Sequence, residues 1–147
     1  MNRPPRKPIN SRFLRTLVGY NARRASLQIM GVFIQRMAPL DLRPVDFSVL
    51  CLIGHNPGIT SREICRELHL LAPNLVRLLA RLDQRALVRR QAHPEDGRAV
   101  GLSLSEGGQA LLAQAECEVA ALEVDVTADL SDAERAQLIA LLQRVYR

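Results

Sequence analysis

Residues 59–104 constrain the fold of this 147-residue chain more than any other stretch. One set of apolar residues there has the i, i+3, i+4, i+7 spacing of a helix that buries one face: Leu75, Leu78, Leu79 and Leu82. A second stripe consists of Asn74, Arg77, Arg81 and Arg85. Since each residue turns a helix by about 100°, this stripe is centred about 120° away from the leucines. Burial of the leucines is therefore expected to direct the guanidinium groups away from the protein.

The residues before this helix predict a shorter helix and a tight turn. Thr60-Ser61-Arg62-Glu63 has the pattern of a capping box, and the apolar residues after it would face inward. A turn follows at 69–72, and Pro73 suits the first turn of the next helix, where its missing N–H costs nothing. This is the layout of a helix-turn-helix, whose second helix reads the major groove of DNA. A solvated helix face is the alternative interpretation of the arginines.

The residues after this helix predict a β-hairpin. Leu87-Val88-Arg89-Arg90 leads to a turn at 93–98, after which Val100, Leu102 and Leu104 alternate as in a half-buried strand. The predicted fold is therefore mainly α with a small β-hairpin wing, that is, an α+β winged helix-turn-helix domain.

The same stretch resembles the MarR family of bacterial transcriptional regulators in the order and spacing of its motifs. The segments that carry the resemblance are Phe47-Ser48-Val49-Leu50, Asn56-Pro57-Gly58-Ile59-Thr60, Leu75-Val76-Arg77-Leu78-Leu79-Ala80-Arg81-Leu82, Ala86-Leu87-Val88-Arg89-Arg90, Pro94-Glu95-Asp96-Gly97-Arg98 and Leu102-Ser103-Leu104-Ser105-Glu106-Gly107-Gly108. The resemblance implies a homodimer that presents two winged helices to a pseudo-palindromic operator in double-stranded DNA. It also implies that the N- and C-terminal helices form the dimer.

Several positions depart from the family pattern. Val76 stands where the family usually has Ser or Thr, Pro73 and Asn74 replace a common Ser-Thr pair, and Ala86 replaces a common Gly. The wing usually reads Asp-Arg-Arg, and here it reads Asp96-Gly97-Arg98. These changes are expected to alter which operator is read, or how tightly, while the groove-binding arrangement remains.

DNA contacts are predicted from the helix-turn-helix and from the wing. Arg77 lies near the start of the second helix, where side chains reach base edges, and Arg98 at the wing tip should enter the minor groove. Asp96 should hold an arginine in position, as the resemblance also implies. The complete predicted set is Thr60, Ser61, Arg62, Pro73, Asn74, Arg77, Arg81, Arg89, Asp96 and Arg98.

Outside the winged helix, the chain predicts an arm and several long helices. Residues 1–9 contain three prolines and three positive charges, which is typical of a flexible basic arm. Residues 10–40 form the predicted N-terminal dimerisation helix, continuous from Ser11 to about Met37. Residues 41–104 form the DNA-binding domain, and 105–147 form the C-terminal dimerisation helices, which Ser105 and Ser131 would cap. These terminal helices have apolar faces without a core of their own, so a second copy of the chain is expected to cover them.

The charge distribution supports a polyanionic partner. Residues 1–59 carry a net charge of +7, residues 60–100 carry +3 and residues 101–147 carry −5, so the positive charge lies on the parts expected near DNA. Aromatic residues make up only 3% of the chain, which argues against a platform that stacks single-stranded bases. There is neither a membrane-spanning apolar stretch nor an apolar signal core, so a cytoplasmic protein is expected.

Catalysis, metal binding and a cofactor are not predicted. The three histidines are scattered, no glycine-rich phosphate loop occurs, and Cys65 and His69 at i, i+4 provide only two metal ligands. Cys51, Cys65 and Cys117 are each flanked by apolar positions, and small buried hydrophobes are the expected interpretation. A regulator switched by cysteine oxidation, or a winged helix used for protein contact, remains as an alternative.

The resemblance further implies a small effector between the dimer helices and the winged helix. Its predicted lining is Phe13, Leu17, Tyr20, Arg23, Arg24, Phe47 and Cys51. Residues 19–25 resemble a subgroup that responds to aromatic acids or their coenzyme A thioesters, with the arginines offered to carboxylate or phosphate. Contact of both arginines with DNA or solvent is the alternative. The predicted function is a ligand-responsive regulator, a repressor that its effector releases from DNA.

Overall fold

Six α-helices and one antiparallel sheet make up the part of the chain that the structure, a computed structural model, describes, namely residues 9–92 and 100–146. The elements in order are a 3₁₀ turn Leu14–Thr16, α1 Val18–Met37, a 3₁₀ turn Ala38–Leu40, α2 Pro44–His55, β1 Ile59–Thr60, α3 Ser61–Glu67, α4 Ala72–Gln84, β2 Val88–Ala92, β3 Val100–Leu104, α5 Glu106–Val126 and α6 Asp132–Val145. The predicted fold class, mainly α with a small β wing, is confirmed.

Helix α2 forms the centre of the molecule. Its sequence is apolar on nearly all sides, and Val49, Leu50 and Ile53 are completely buried. They belong to one cluster with the four leucines of α4, with Leu102 of β3 and with Leu112 of α5. The predicted apolar face of α4 is therefore the face that attaches this helix to the core.

Side-chain caps fix where three helices begin, as predicted. At α3 the Thr60 hydroxyl accepts from the backbone N–H of Glu63 at 3.3 Å, while the Glu63 carboxylate accepts from the N–H of Thr60 at 2.8 Å. Ser131 and Glu134 form the same capping box at α6, and the Ser105 hydroxyl caps α5. Each cap satisfies a backbone donor that the first helical turn leaves unpaired.

The predicted hairpin of β2 and β3 is confirmed. A third strand, β1, which was not predicted, extends it into a three-stranded sheet. The strand order is β1-β3-β2, with Val88 opposite Leu104 and Ile59 opposite Leu102. Gly101 permits this pairing, because a Cβ atom there would lie 2.8 Å from the carbonyl oxygen of Gly58. A strand of two residues is too short to show an alternating pattern. The predicted turn at 93–98 lies outside the described residues.

The predicted continuous helix from Ser11 to Met37 is wrong at its start. Leu17 is extended, with ψ 127°, and separates the 3₁₀ turn from α1. The Asn21 amide donates to the carbonyl oxygens of Arg15 and Leu17 at 2.9 and 2.8 Å. The side chain thereby satisfies the Arg15 carbonyl, which a continuous helix would have bonded through its backbone, and it adds a second bond to the Leu17 oxygen, which also accepts from the backbone N–H of Asn21 at 3.1 Å.

Helix α5 is part of the core, so the expectation that residues 105–147 have no core of their own is wrong for this helix. Leu112, Ala115 and Leu122 are buried in the same cluster as α2. Gly108 lies so close to β2 that an added Cβ atom would be 2.1 Å from the carbonyl oxygen of Leu87. Only glycine allows the first turn of α5 to approach the winged helix this closely.

The terminal helices were expected to have apolar faces without a core of their own, and this holds for α6 and for much of α1. Their large apolar side chains are exposed. Along α6 no residue is buried. The exposed apolar residues of the two helices are Val18, Leu27, Met30, Ile34, Leu138, Ile139, Leu141, Leu142 and Val145. Among the described residues, no helix is long and apolar enough to span a membrane.

Candidate nucleic-acid interface

The exposed face of α4 begins with its first-turn proline. Pro73 and Asn74 are exposed, and Arg77 lies one turn further along the same helix and is also exposed. The four leucines on the opposite side are buried, which fixes the rotation of α4 about its axis. One Arg77 Nη nitrogen donates to the Asn74 side-chain oxygen at 2.6 Å, and this bond aligns the two polar groups. The outward direction predicted for Arg77 is confirmed.

The second half of the arginine stripe is directed inward, contrary to the prediction. Arg81 forms an ion pair with the buried carboxylate of Asp46 on α2. Arg85 donates to the carbonyl oxygens of Asp41 and Leu40 at 2.7 and 2.9 Å. Long arginine side chains bend back towards such acceptors when these lie within reach. Arg81 and Arg85 therefore attach α4 to the first turn of α2 and to the residues just before α2. DNA contact by Arg81 stays a prediction.

The other predicted DNA contacts have different surroundings. Thr60 is a helix cap, Ser61 is half-buried, and Arg62 is exposed on α3. Arg89 is exposed on β2, next to Arg90, which pairs with Asp83 at 2.8 Å. Asp96 and Arg98 lie outside the described residues.

A groove runs between the first turn of α2 and the exposed face of α4. Its lining consists of Arg43, Val45, Leu70, Asn74, Arg77, Leu78 and Arg81. Sequence reasoning did not select Arg43, which directly precedes Pro44 at the start of α2. Its position before a first-turn proline was a signal for a helix start, but nothing in the sequence connected that start with α4.

A single chain does not bring the predicted effector residues together. The Phe47 ring packs against Phe33 in the second half of α1, with centroids 5.7 Å apart. Tyr20 lies thirteen residues before Phe33, about 20 Å away along a helix. Phe13 and Leu17 precede Tyr20 and are exposed, as are Arg23 and Arg24. Tyr20 and Arg24 instead line a surface depression together with Arg15 and Asn21.

The cysteines differ in their surroundings. Burial next to Glu116 raises the pKa of the Cys51 thiol to about 11, so this group stays protonated and weakly nucleophilic near neutral pH. Cys65 is half-buried, whereas Cys117 is exposed, so the expected burial of Cys117 is wrong. Within the described residues there is no group of three or more ligands that could hold a metal ion.

Comparison with known proteins connects this geometry with one family. Residues 40–99 match the model of the MarR family. The multiple antibiotic resistance protein MarR of Escherichia coli is 34% identical over 110 residues, which cover 74% of this chain and 76% of that protein. A solved structure of the transcriptional repressor CouR bound to a 23-mer DNA duplex is 36% identical, with a TM-score of 0.89 over 96% of this chain and 100% of that one. CouR bound to p-coumaroyl-CoA is 35% identical, with a TM-score of 0.82 over 95% and 99% of the two chains.

Proposed function

Because the chain belongs to the MarR family of transcriptional regulators, we propose that it binds a pseudo-palindromic operator in double-stranded DNA as a homodimer. It acts in the cytoplasm as a repressor. A small aromatic acid, or the coenzyme A thioester of one, releases it from the operator.

The exposed face of α4 is the observation that carries the DNA-binding part of this proposal. Asn74 and Arg77 lie hydrogen-bonded to each other near the start of a helix whose other side is buried. In a helix-turn-helix, side chains at this position reach base edges in the major groove, and arginine donates two parallel bonds to guanine. Exposed Arg62 and Arg89 on the neighbouring elements add positive charge for the phosphates.

The exposed apolar surface of α1 and α6 supports the homodimer. Several large apolar side chains exposed on one helix often mark a protein interface. Two copies that bury these helices would present two α4 helices, which operator half-sites about 34 Å apart require. A second recognition helix also supplies affinity that one module lacks.

The proposal for the effector rests on similarity and on one polar cluster. CouR, which has been solved with p-coumaroyl-CoA, is similar to this chain over nearly its whole length. In this chain Tyr20, Arg24 and Arg15 surround one depression at the start of α1, with Arg23 adjacent. Their guanidinium groups suit the phosphates of a coenzyme A thioester or the carboxylate of a free acid.

The redox-switched alternative has less support. The raised pKa of the Cys51 thiol opposes oxidation, which requires the thiolate. The protein-contact alternative also has less support, because clustered arginines are unusual at the centre of a protein interface.

Selection of genomic fragments by the purified protein tests DNA binding. We expect enrichment of a pseudo-palindrome whose half-sites are one helical turn apart, and binding that weakens steeply as salt rises. Light scattering of the free protein at micromolar concentration should give the mass of two chains. A monomeric mass, or affinity that is independent of salt, would contradict the proposal.

Addition of p-coumaroyl-CoA to the complex with the selected duplex tests the effector. The thioester should release the protein, whereas free coenzyme A at the same concentration should not. The variant Arg24→Gln should need about tenfold more thioester while its operator affinity is unchanged, since one charge-assisted contact is lost. Arg144→Gln, at the far end of α6, is the charge-matched control. If p-coumaric acid and its thioester both leave the complex intact, an effector of this class is excluded.

A further inference from the structure

Asp46 is the buried acidic side chain of the described winged helix, with 2% of its surface exposed. One carboxylate oxygen accepts from the backbone N–H of Arg43 at 3.0 Å and from the Arg43 Nε nitrogen at 3.2 Å. The other oxygen accepts from an Nη nitrogen of Arg81 on α4. A buried carboxylate is retained only when it is paired and hydrogen-bonded in this way. Asp46 therefore holds two guanidinium groups from two different elements.

The charges in this cluster do not cancel. One carboxylate faces two guanidinium groups, which leaves a surplus of one positive charge, and neighbouring Arg77 adds another. The Arg81 side chain is 34% exposed and its pair closes the gap between α4 and α2, so it is the natural partner of Asp46. The Arg43 side chain is 63% exposed, and its contact with Asp46 uses the Nε nitrogen. The surplus charge is therefore assigned to the guanidinium of Arg43, the more exposed of the two.

The position of Arg43 places that charge beside the recognition face. Arg43 lines the same groove as Asn74 and Arg77, and no hydrogen bond to its Nη nitrogens is formed by the described residues. A fixed guanidinium whose two Nη nitrogens have no partner among the described residues matches the geometry of a phosphate, whose oxygens accept two parallel bonds. A bound duplex whose bases meet Asn74 and Arg77 would bring its backbone along the walls of this groove.

We propose that Arg43 is a DNA-phosphate contact and that Asp46 is the positioning residue that fixes it. Arg81 balances the charge of Asp46 and does not read the operator. This inference rests on the proposed function and adds a contact on α2, outside the helix-turn-helix and the wing.

The test is the salt dependence of binding, because phosphate contacts release counterions whatever the base sequence. A labelled mixed-sequence duplex of about 30 base pairs serves as the probe, and the selected operator is measured in parallel. Arg43→Gln should reduce the slope of log affinity against log salt by about 0.9 for each chain in the complex. It should weaken binding to both duplexes by a similar factor, about threefold to tenfold at moderate salt. Arg144→Gln should leave the slope unchanged.

Asp46→Asn separates positioning from a purely structural role. Its side chain has the same shape but cannot hold two guanidinium groups by charge, so the slope should fall as it does for Arg43→Gln. The double variant that carries both Asp46→Asn and Arg43→Gln should have the same slope as Arg43→Gln alone. A variant that is merely less folded would bind less at every salt concentration with an unchanged slope, and thermal melting measures the folded fraction independently.

Three results would overturn the inference. An unchanged slope for Arg43→Gln excludes the phosphate contact. An unchanged slope for Asp46→Asn, with a normal loss for Arg43→Gln, excludes positioning by Asp46. A loss of slope for Arg81→Gln as large as that for Arg43→Gln would assign the phosphate contact to Arg81. If instead the unmodified protein binds neither duplex, the proposed function itself fails.

Discussion

The winged helix and helix α6 bury their apolar side chains to very different extents. In the winged helix, Leu50, Ile53, Ile64 and Leu82 are completely buried. Along α6, Leu138, Leu141 and Leu142 remain 40–48% exposed. An isolated helix of fourteen residues is marginal in water, so α6 needs another surface to stabilise it. The comparison shows that one region is complete within a single chain, whereas the other leaves exposed the apolar surface that the proposed dimer would bury.

Breaking the proposed interface should have the largest effect. Leu141→Glu combined with Leu142→Glu should raise the dissociation constant of the dimer by about a thousandfold, because the change removes four leucines from the two chains, and each, already about half buried in one chain, would contribute about 1 kcal/mol on further burial. Sedimentation velocity over a range of concentrations measures this. Ala136→Glu combined with Ala140→Glu adds the same two charges on the opposite side of α6 and should leave the dimer intact. A double variant that stays dimeric would place the interface elsewhere.

Truncation of a buried side chain in the winged helix should lower its free energy of unfolding without involving the dimer interface. Leu82→Ala removes a completely buried side chain and should lower the free energy of unfolding by about 3 kcal/mol. Urea denaturation of the monomeric double variant isolates this loss from dimerisation. Leu82→Met keeps the volume and should cost less than about 1.5 kcal/mol. An equal loss for both variants would mean that packing at this position is not what stabilises the region.

Two arginines of the same predicted stripe should separate function from stability. Arg77→Ala should cost about 1–3 kcal/mol of operator binding and relax the preference at one base pair of each half-site. Arg85→Ala should leave base preference unchanged, since the Arg85 guanidinium is bonded to the carbonyl oxygens of Leu40 and Asp41. Competition with operators that carry single base changes measures both. Relaxed specificity in Arg85→Ala would contradict this division.

A smaller gain in stability is expected at Ala86. This residue has φ 53°, a left-handed backbone conformation that disfavours any side chain with a Cβ atom. Ala86→Gly, which restores the residue common in the family, should raise the free energy of unfolding of the winged helix by about 1 kcal/mol. Thermal melting of the monomeric background tests this. A decrease would show that the turn is stabilised by more than its backbone conformation.

The smallest effect concerns acid sensitivity at the start of α6. Hydrogen bonds from the Ser131 backbone and hydroxyl lower the pKa of Glu134 below its ordinary value. The charged cap therefore stabilises α6 fully above that ordinary value, and its contribution disappears as pH falls through the lowered pKa. Glu134→Gln should flatten this part of the pH profile of helix content. A profile identical to that of the unmodified protein would exclude the cap as its origin.

Local patterns in the sequence predicted most of the fold because they act over a few residues. The capping boxes at Thr60 and Ser131, the leucine face of α4 and the alternating residues of β3 each involve neighbours along the chain. At the break near Leu17, the amide of Asn21 bonds the carbonyl oxygen of Arg15 six residues earlier, in place of a helical backbone bond, and the hydrophobic pattern does not show this contact.

The candidate site was harder to predict because its contacts are distant in sequence. Arg81 and Asp46 are separated by 35 residues. The sequence pattern of α4 alone therefore cannot show that an acceptor for Arg81 lies on α2. The same limit applies to the effector residues, since Tyr20 lies near the start of α1 whereas Phe47 lies on α2 and packs against Phe33, thirteen residues further along α1. The polar stripe of α4 predicted the direction of Arg77 correctly. The same pattern could not distinguish a guanidinium that faces solvent, as in Arg77, from one that is paired with a carboxylate, as in Arg81.

The contact between Gly108 and Leu87 has a mechanical consequence. It joins the first turn of α5 to the winged helix without any intervening side chain, so a tilt of α5 should be transmitted directly to the winged helix. Helix α5 has 21 residues and is about 30 Å long, which makes it a lever. A tilt of about 5° at one end displaces the other by about 3 Å, and two chains tilting in opposite senses double that figure. Such a displacement is about half of the width of about 12 Å of the major groove, so in the proposed dimer a few degrees of rotation would be enough to disengage both α4 helices from DNA.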